Sequence, residues 1–196
     1  MMKLGVTGGI GSGKTSVCRV FMVLGISVFS ADRVAGEIME RDGSIVQGIN
    51  SIAGRDIYPE GKLNKAALAE IIFHDSRKLA EVNALVHPAV FSSFERWVPL
   101  QTSPYVIMEA AILFESGAAD LVDKIVAVTA PEEERLGRVM GRSNLSREQV
   151  SDRIKNQMDD LERVSRSDFV IYNAENDMII PSILDIHDTI LKSLNI

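Results

Sequence analysis

The sequence predicts an α/β protein: a parallel sheet of about five strands flanked by helices, with an inserted helical domain and a helical lid. Three observations predict it. Short apolar runs at 3–7, 27–32, 105–110, 124–130 and 168–173 have the composition of buried strands. Helical patterns separate them, as in βαβ units. Residues 33–100 shift to Ala, Leu, Ile, Glu and Lys at helical spacing, a stretch far longer than a simple crossover.

"KLGVT" (3–7) reads as the first strand, and "KTSVCRVFMVLG" (14–25) as a helix. Val17, Cys18, Phe21 and Leu24 share one face of that helix, and Gly25 is a natural stop. "SVFSAD" (27–32) reads as a second strand ending in an aspartate. In the helical stretch, Asn64 and Ser76 are the expected N-caps, and Pro88 is expected to bend or interrupt a helix over about 77–98. "YVIMEA" and "KIVAVTA" return to strand composition. "PEEERLGRVMGR" (131–142) reads as a helix with Pro131 in its first turn and acidic residues at its positive end. A second helix follows, capped by Ser146. "DFVIYN" is the last strand, and a helix over about 177–192 closes the chain. The stretch over 33–100 reads as a helical insertion over the top of the sheet.

The 196 residues suit one α/β unit, and 46% hydrophobic residues supply its core. The formal net charge of −6 argues against a broad surface for nucleic acid or anionic membranes. One cysteine, Cys18, excludes an intramolecular disulfide. No apolar run approaches a membrane span, and the glycine loop arrives before any signal-peptide pattern, so the expectation is a cytoplasmic protein.

Gly8, Gly13, Lys14 and Thr15 complete the pattern G-x-x-x-x-G-K-[ST] between the first strand and the first helix. This is the P-loop arrangement. Glycines let the backbone curl so that successive N–H groups face phosphate oxygens, and the helix start adds its positive end. Lys14 supplies a charge to the β- and γ-phosphates, and the Thr15 hydroxyl can ligate Mg²⁺. The sheet is therefore of the P-loop NTPase type.

Ligands of open parallel sheets gather at the carboxyl ends of the strands. Asp32 falls there, and two readings stand: a carboxylate that takes a hydroxyl proton, or a helix cap. Glu109 can hold a metal ion through water, or be a plain strand-end carboxylate; Glu115 is similarly placed. Arg135, Arg138 and Arg142 lie along one helical face, as a solvated surface or as a lid that brings arginine over the transferring phosphate. His87, in "ALVHPAVF", reads first as a packed histidine. No second His or Cys stands at metal-ligand spacing, which argues against a zinc site.

Together these segments resemble the dephospho-CoA kinase family over nearly the whole chain. "GVTGGIGSGKTSV" is similar to that family's opening, and "SADRVAGEIM" to its segment after the second strand. "GKLNKAALAEIIF" with "LVHPAV" resembles its helical substrate domain, and "AILFESG", "RVMGR", "RIKNQ" and "SDFVIYN" resemble its later segments. The chain departs from the family pattern at Ser30, Lys65, Ala111 and Arg135.

The resemblance implies ATP-dependent phosphorylation of the ribose 3′-hydroxyl of dephospho-CoA, with ATP as donor and Mg²⁺ as metal. It implies catalytic roles for Lys14, Asp32 and Arg142. It places ATP on Gly11, Ser12, Gly13, Lys14, Thr15, Ser16 and Arg138, and the acceptor on Asp32, Lys65 and His87. Thr15 would hold the metal, with Glu109 acting through water. The expected partners are ATP and dephospho-CoA, with no nucleic acid and no membrane, in a monomer or weak homo-oligomer. The alternatives are a nucleoside monophosphate kinase or a P-loop GTPase switch. The only "NK", at 64–65, continues "AA" and lacks the guanine-reading aspartate.

Overall fold

The computed structural model describes residues 1–73, 75–143 and 145–195, without the side chain of Phe73. The expected helical domain and lid therefore each contain one residue, His74 and Asn144, outside the described set. In chain order the elements are β1 (Met2–Thr7), α1 (Lys14–Val23), β2 (Ser27–Ser30), α2 (Ala31–Arg41), α3 (Gly43–Ala53), α4 (Lys65–Phe73) and α5 (Ser76–Trp97). Then come β3 (Tyr105–Glu109), β4 (Lys124–Thr129), α6 (Glu132–Arg142), α7 (Arg147–Lys155), α8 (Asp160–Ser165), β5 (Phe169–Tyr172) and α9 (Ile179–Ser193). The chain forms two compact units, one of Met1–Ser30 with Val98–Ile196 and one of Ala31–Trp97.

The first unit holds a five-stranded sheet in the order β2-β3-β1-β4-β5, with every pair parallel. β1 is central. Val6 stands opposite Glu109 of β3, and Thr7 opposite Ala127 of β4. The loop that leaves β1 thus starts at the middle of the sheet, where ligand crevices of such folds open. Strand residues Leu4, Val6, Tyr105, Ile107, Val126, Val128 and Ile171 pack with Val17, Cys18 and Phe21 of α1 and Ile183, Ile186 and Ile190 of α9. Burial of each large apolar side chain contributes about 1.5–3 kcal/mol, so the rigid frame lies directly beneath the loop.

Among the described residues, the regular elements of the second unit are α2–α5 and a 3₁₀ turn at Pro59–Gly61. α5 is its spine and packs against α2, α3 and α4. Val82, Val86, Val90 and Phe94 recur every four residues on α5 and are buried. Asn64 caps α4 by accepting the Ala67 N–H at 3.0 Å.

Several local expectations change. The cap of α5 is Asp75, which accepts the N–H groups of Arg77 and Lys78 at 3.0 and 3.2 Å; Ser76 is already the first helical residue. Two N–H groups prefer a carboxylate to a hydroxyl. The helix also continues through Pro88 without interruption. The buried stripe on either side of the proline outweighs the one backbone hydrogen bond that it removes. β2 stops at Ser30, two residues earlier than its composition suggests. Pro131 is the N-cap residue of α6 rather than a first-turn residue.

Candidate active site

The loop from Gly8 to Thr15 connects the central strand to α1. Gly11 and Gly13 have φ of +81° and +95°, which side-chain-bearing residues rarely adopt. Gly13 is the left-handed residue immediately before α1, and its carbonyl accepts Ser16 N–H at 2.9 Å. The buried Lys14 ammonium donates to the carbonyls of Gly8 at 2.8 Å and Gly9 at 3.4 Å. Its charge is therefore held inside the loop. Thr15 and Ser16 open α1 and are exposed. Ser12 Oγ is fully buried beside Gly8 and has no hydrogen-bond partner among the described residues.

Side chains distant in sequence brace this loop. Asn173, next after β5, donates its amide to Ser12 O at 2.8 Å. Arg138 donates to Asn173 O at 2.8 Å and to Glu134 at 2.9 Å. Arg135 donates from Nε to Ile10 O at 3.0 Å and is paired with Asp160. Gln157 accepts the Ile10 N–H at 2.8 Å. The three arginines of α6 thus differ: Arg135 is buried, Arg138 is half-buried and Arg142 is exposed in the last turn. The sequence places Arg135 only on one helical face, as solvated surface or as lid. It gives no sign of Asn173, Gln157 or Asp160, because no local pattern marks them.

Among the carboxylates, Glu109 ends β3 one strand away from the loop and accepts the Ser30 hydroxyl at 2.8 Å. Glu115 accepts Met158 N–H at 2.9 Å, a bracing contact between loops. Asp32 lies in the first turn of α2, in the second unit, two residues beyond the end of β2. Lys65 opens α4 and pairs with Glu40 at 3.5 Å on the surface of that unit. His87 is half-buried on α5 and stacks on Phe91 with ring centroids 6.0 Å apart. Desolvation lowers its pKa below the ordinary imidazole value, which favours the neutral ring.

Residues of the first unit fit a small hard cation. The Thr15 hydroxyl and the Glu109 carboxylate are oxygen donors of the kind Mg²⁺ prefers. Among the described residues no group of three or more His, Cys, Asp or Glu side chains could hold a metal ion. A cation here would draw its remaining ligands from nucleotide phosphates and water, the usual manner of Mg²⁺ in phosphoryl-transfer sites.

A parallel sheet with a glycine-lysine-threonine loop after its central strand, overlaid by arginine-bearing helices, is the fold of P-loop kinases. The chain resembles the shikimate kinase of Acinetobacter baumannii in fold, at 15% identity with a TM-score of 0.53 over 98% of this chain and 94% of that one. The family model of dephospho-CoA kinase matches residues 2–178, and the chain belongs to that family. A dephospho-CoA kinase of Bacteroides fragilis is 40% identical over 186 residues, 94% of this chain and 91% of the relative. One of Corynebacterium diphtheriae is 37% identical, covering 89% of each. A crystal structure from Thermus thermophilus superposes with a TM-score of 0.84 at 30% identity, covering 98% of this chain and 97% of that one. The chain is thus a kinase of this family, which sets aside the nucleoside monophosphate kinase and GTPase readings. Among the described residues no helix is long and apolar enough to cross a membrane.

Proposed function

We propose that the chain transfers the γ-phosphoryl group of ATP to the 3′-hydroxyl of the ribose of dephospho-CoA, yielding coenzyme A and ADP. The observation that carries this is the family match over residues 2–178, on a chain whose Lys14 is buried inside the phosphate loop. Lys14 would leave the Gly8 and Gly9 carbonyls for the β- and γ-phosphates, while the loop from Gly11 to Ser16 cradles them. Asp32 would take the proton of the 3′-hydroxyl as its oxygen attacks phosphorus in line and the bond to the β-phosphate oxygen breaks. Arg138 and Arg142 would neutralise charge on the transferring phosphate and the nucleotide. Lys65 and His87 would contact the acceptor within the helical unit.

Thr15, with Glu109 through water, would hold Mg²⁺, which when bound offsets phosphate charge. In this reading residues 1–32, 101–140 and 167–196 bind nucleotide, 33–100 bind the acceptor, and 141–166 form a lid that excludes water. A cytoplasmic monomer or weak homo-oligomer suits two small-molecule substrates.

The test is Mg²⁺- and ATP-dependent ADP release with dephospho-CoA, beside adenosine, nucleoside monophosphates and no acceptor. The product is identified by mass and phosphate position. A 3′-phosphate formed only from dephospho-CoA is expected. Equal ADP release without an acceptor would sink the proposal.

A further inference from the structure

We propose that Gln157 and Arg135 are positioning residues for ATP: they set the two peptide planes at the tip of the phosphate loop and so decide which backbone N–H groups meet phosphate. The inference rests on the reading of Gly8–Thr15 as the ATP loop.

A trans peptide is planar, with its C=O and N–H pointing in opposite directions. In the plane joining Gly9 to Ile10, the N–H donates to Gln157 Oε1 at 2.8 Å. The opposite edge of that plane, Gly9 C=O, turns into the loop and accepts Ser12 N–H at 3.1 Å and Lys14 Nζ at 3.4 Å. In the next plane, Ile10 C=O accepts from Arg135 Nε at 3.0 Å. The Gly11 N–H therefore points away from the Arg135 Nε. Gln157 thus takes the Ile10 amide out of competition for phosphate, and Arg135 aims the Gly11 amide.

Both side chains are themselves held. Arg135 is only 4% exposed, and its guanidinium pairs with Asp160, which also pairs with the buried Arg163. Arg163 in turn donates to Met158 O at 2.6 Å, fixing the backbone next to Gln157. The Ile10 side chain packs on the small cluster of Leu136, Val139 and Val150. The loop is shaped for this approach. A Cβ on Gly9 would collide with the Arg135 guanidinium, and one on Gly11 would lie 2.6 Å from the Arg135 carbonyl oxygen. These two glycines serve the brace as well as the curl. Gln157 also lies in the stretch proposed as the lid, so its grip on Ile10 links that stretch directly to the loop.

The experiment measures ATP affinity of the full chain by calorimetry without acceptor, and KM for each substrate, in Gln157→Met, Arg135→Met and Arg135→Gln. Methionine fills the space without the hydrogen bond, whereas glutamine can still donate to Ile10 O. Gln157→Met should weaken ATP binding about three- to tenfold, as expected for loss of one hydrogen bond, and Arg135→Met, which also loses its pair with Asp160, at least as much. KM for ATP should rise and KM for dephospho-CoA should stay constant. Arg135→Gln should recover most of the loss. If Arg135→Met does not fold, Gln157→Met carries the test alone. ATP affinity within twofold of the parent in Gln157→Met, or KM rising equally for both substrates, overturns the inference. Failure of the parent chain to bind ATP would instead remove the loop reading itself.

Discussion

Asn173 donates its side-chain amide to the carbonyl of Ser12 at 2.8 Å, joining two residues 161 positions apart in the chain. A Cβ on Gly13 would strike that amide, and Gly13 already sits at φ +95°. Gly13→Ala therefore strains the backbone and breaks the brace. The expected result is a stability loss of about 1–3 kcal/mol in a urea melt. ATP affinity should fall at least about tenfold by calorimetry, since the strained segment is the cradle itself. Parent-like binding would mean that the loop shape is not set here.

Lys14→Ala should abolish nearly all ADP formation while leaving the far-ultraviolet circular dichroism spectrum intact. Alanine is a strong helix former, so the first turn of α1 tolerates it in place of Lys14. Near-normal turnover in this variant would defeat the placement of ATP.

Asp32→Asn keeps the size of the side chain and removes the base. Under the proposed mechanism kcat should fall about 10²–10⁴-fold. ATP affinity should stay within a few-fold of the parent, because in this reading Asp32 acts on the acceptor hydroxyl while the loop from Gly11 to Ser16 holds the nucleotide. A kcat within a few-fold of the parent would assign Asp32 to the first turn of α2 and nothing more.

Glu109→Gln should raise the Mg²⁺ concentration needed for half-maximal rate and leave the limiting rate at saturating Mg²⁺ closer to the parent value. The amide still accepts the Ser30 hydroxyl, so the strand ends stay joined. An unchanged Mg²⁺ titration would reduce Glu109 to a structural acceptor.

Burial, with a smaller contribution from Glu109, pushes the Cys18 thiol up to about 12, against a smaller opposing effect of Lys14. The thiol is therefore protonated at neutral pH, and a disulfide reagent at pH 8 should modify the native chain far more slowly than the unfolded one. The folded thiol holds its proton more tightly than the unfolded thiol, so this contribution to stability is complete below about pH 9 and is lost as pH rises toward 12. Tyr105 is also raised by burial and acts in the same direction. The difference between the parent and Cys18→Ala isolates the cysteine: the variant should show a shallower alkaline decline in urea stability. Equal slopes would contradict a buried, protonated thiol.

The strands could be read because a parallel sheet buried on both faces needs continuous apolar runs, and those runs survive as local composition. The phosphate loop could be read because its glycines, lysine and threonine fall within eight consecutive positions. Asp75 and Ser76 are both good caps for α5 by composition, and only the hydrogen bonds to Arg77 and Lys78 distinguish them. The end of β2 was read late because "SAD" suits either a strand end or a helix start. The structure begins α2 at Ala31.

The sequence by itself determined the alternation of strands and helices, the helical stretch after β2 and the glycine-lysine-threonine pattern of the loop, because each depends on neighbours within one or two turns of chain. Only the tertiary structure decided which strand lies at the centre, that Glu109 stands one strand from the loop, and that Arg135 turns inward while Arg142 stays exposed. It also brought Gln157 and Asn173 to the loop, and Asp160 to Arg135, from far along the chain. Such contacts follow from strand order and helix packing, which join residues that no local periodicity connects.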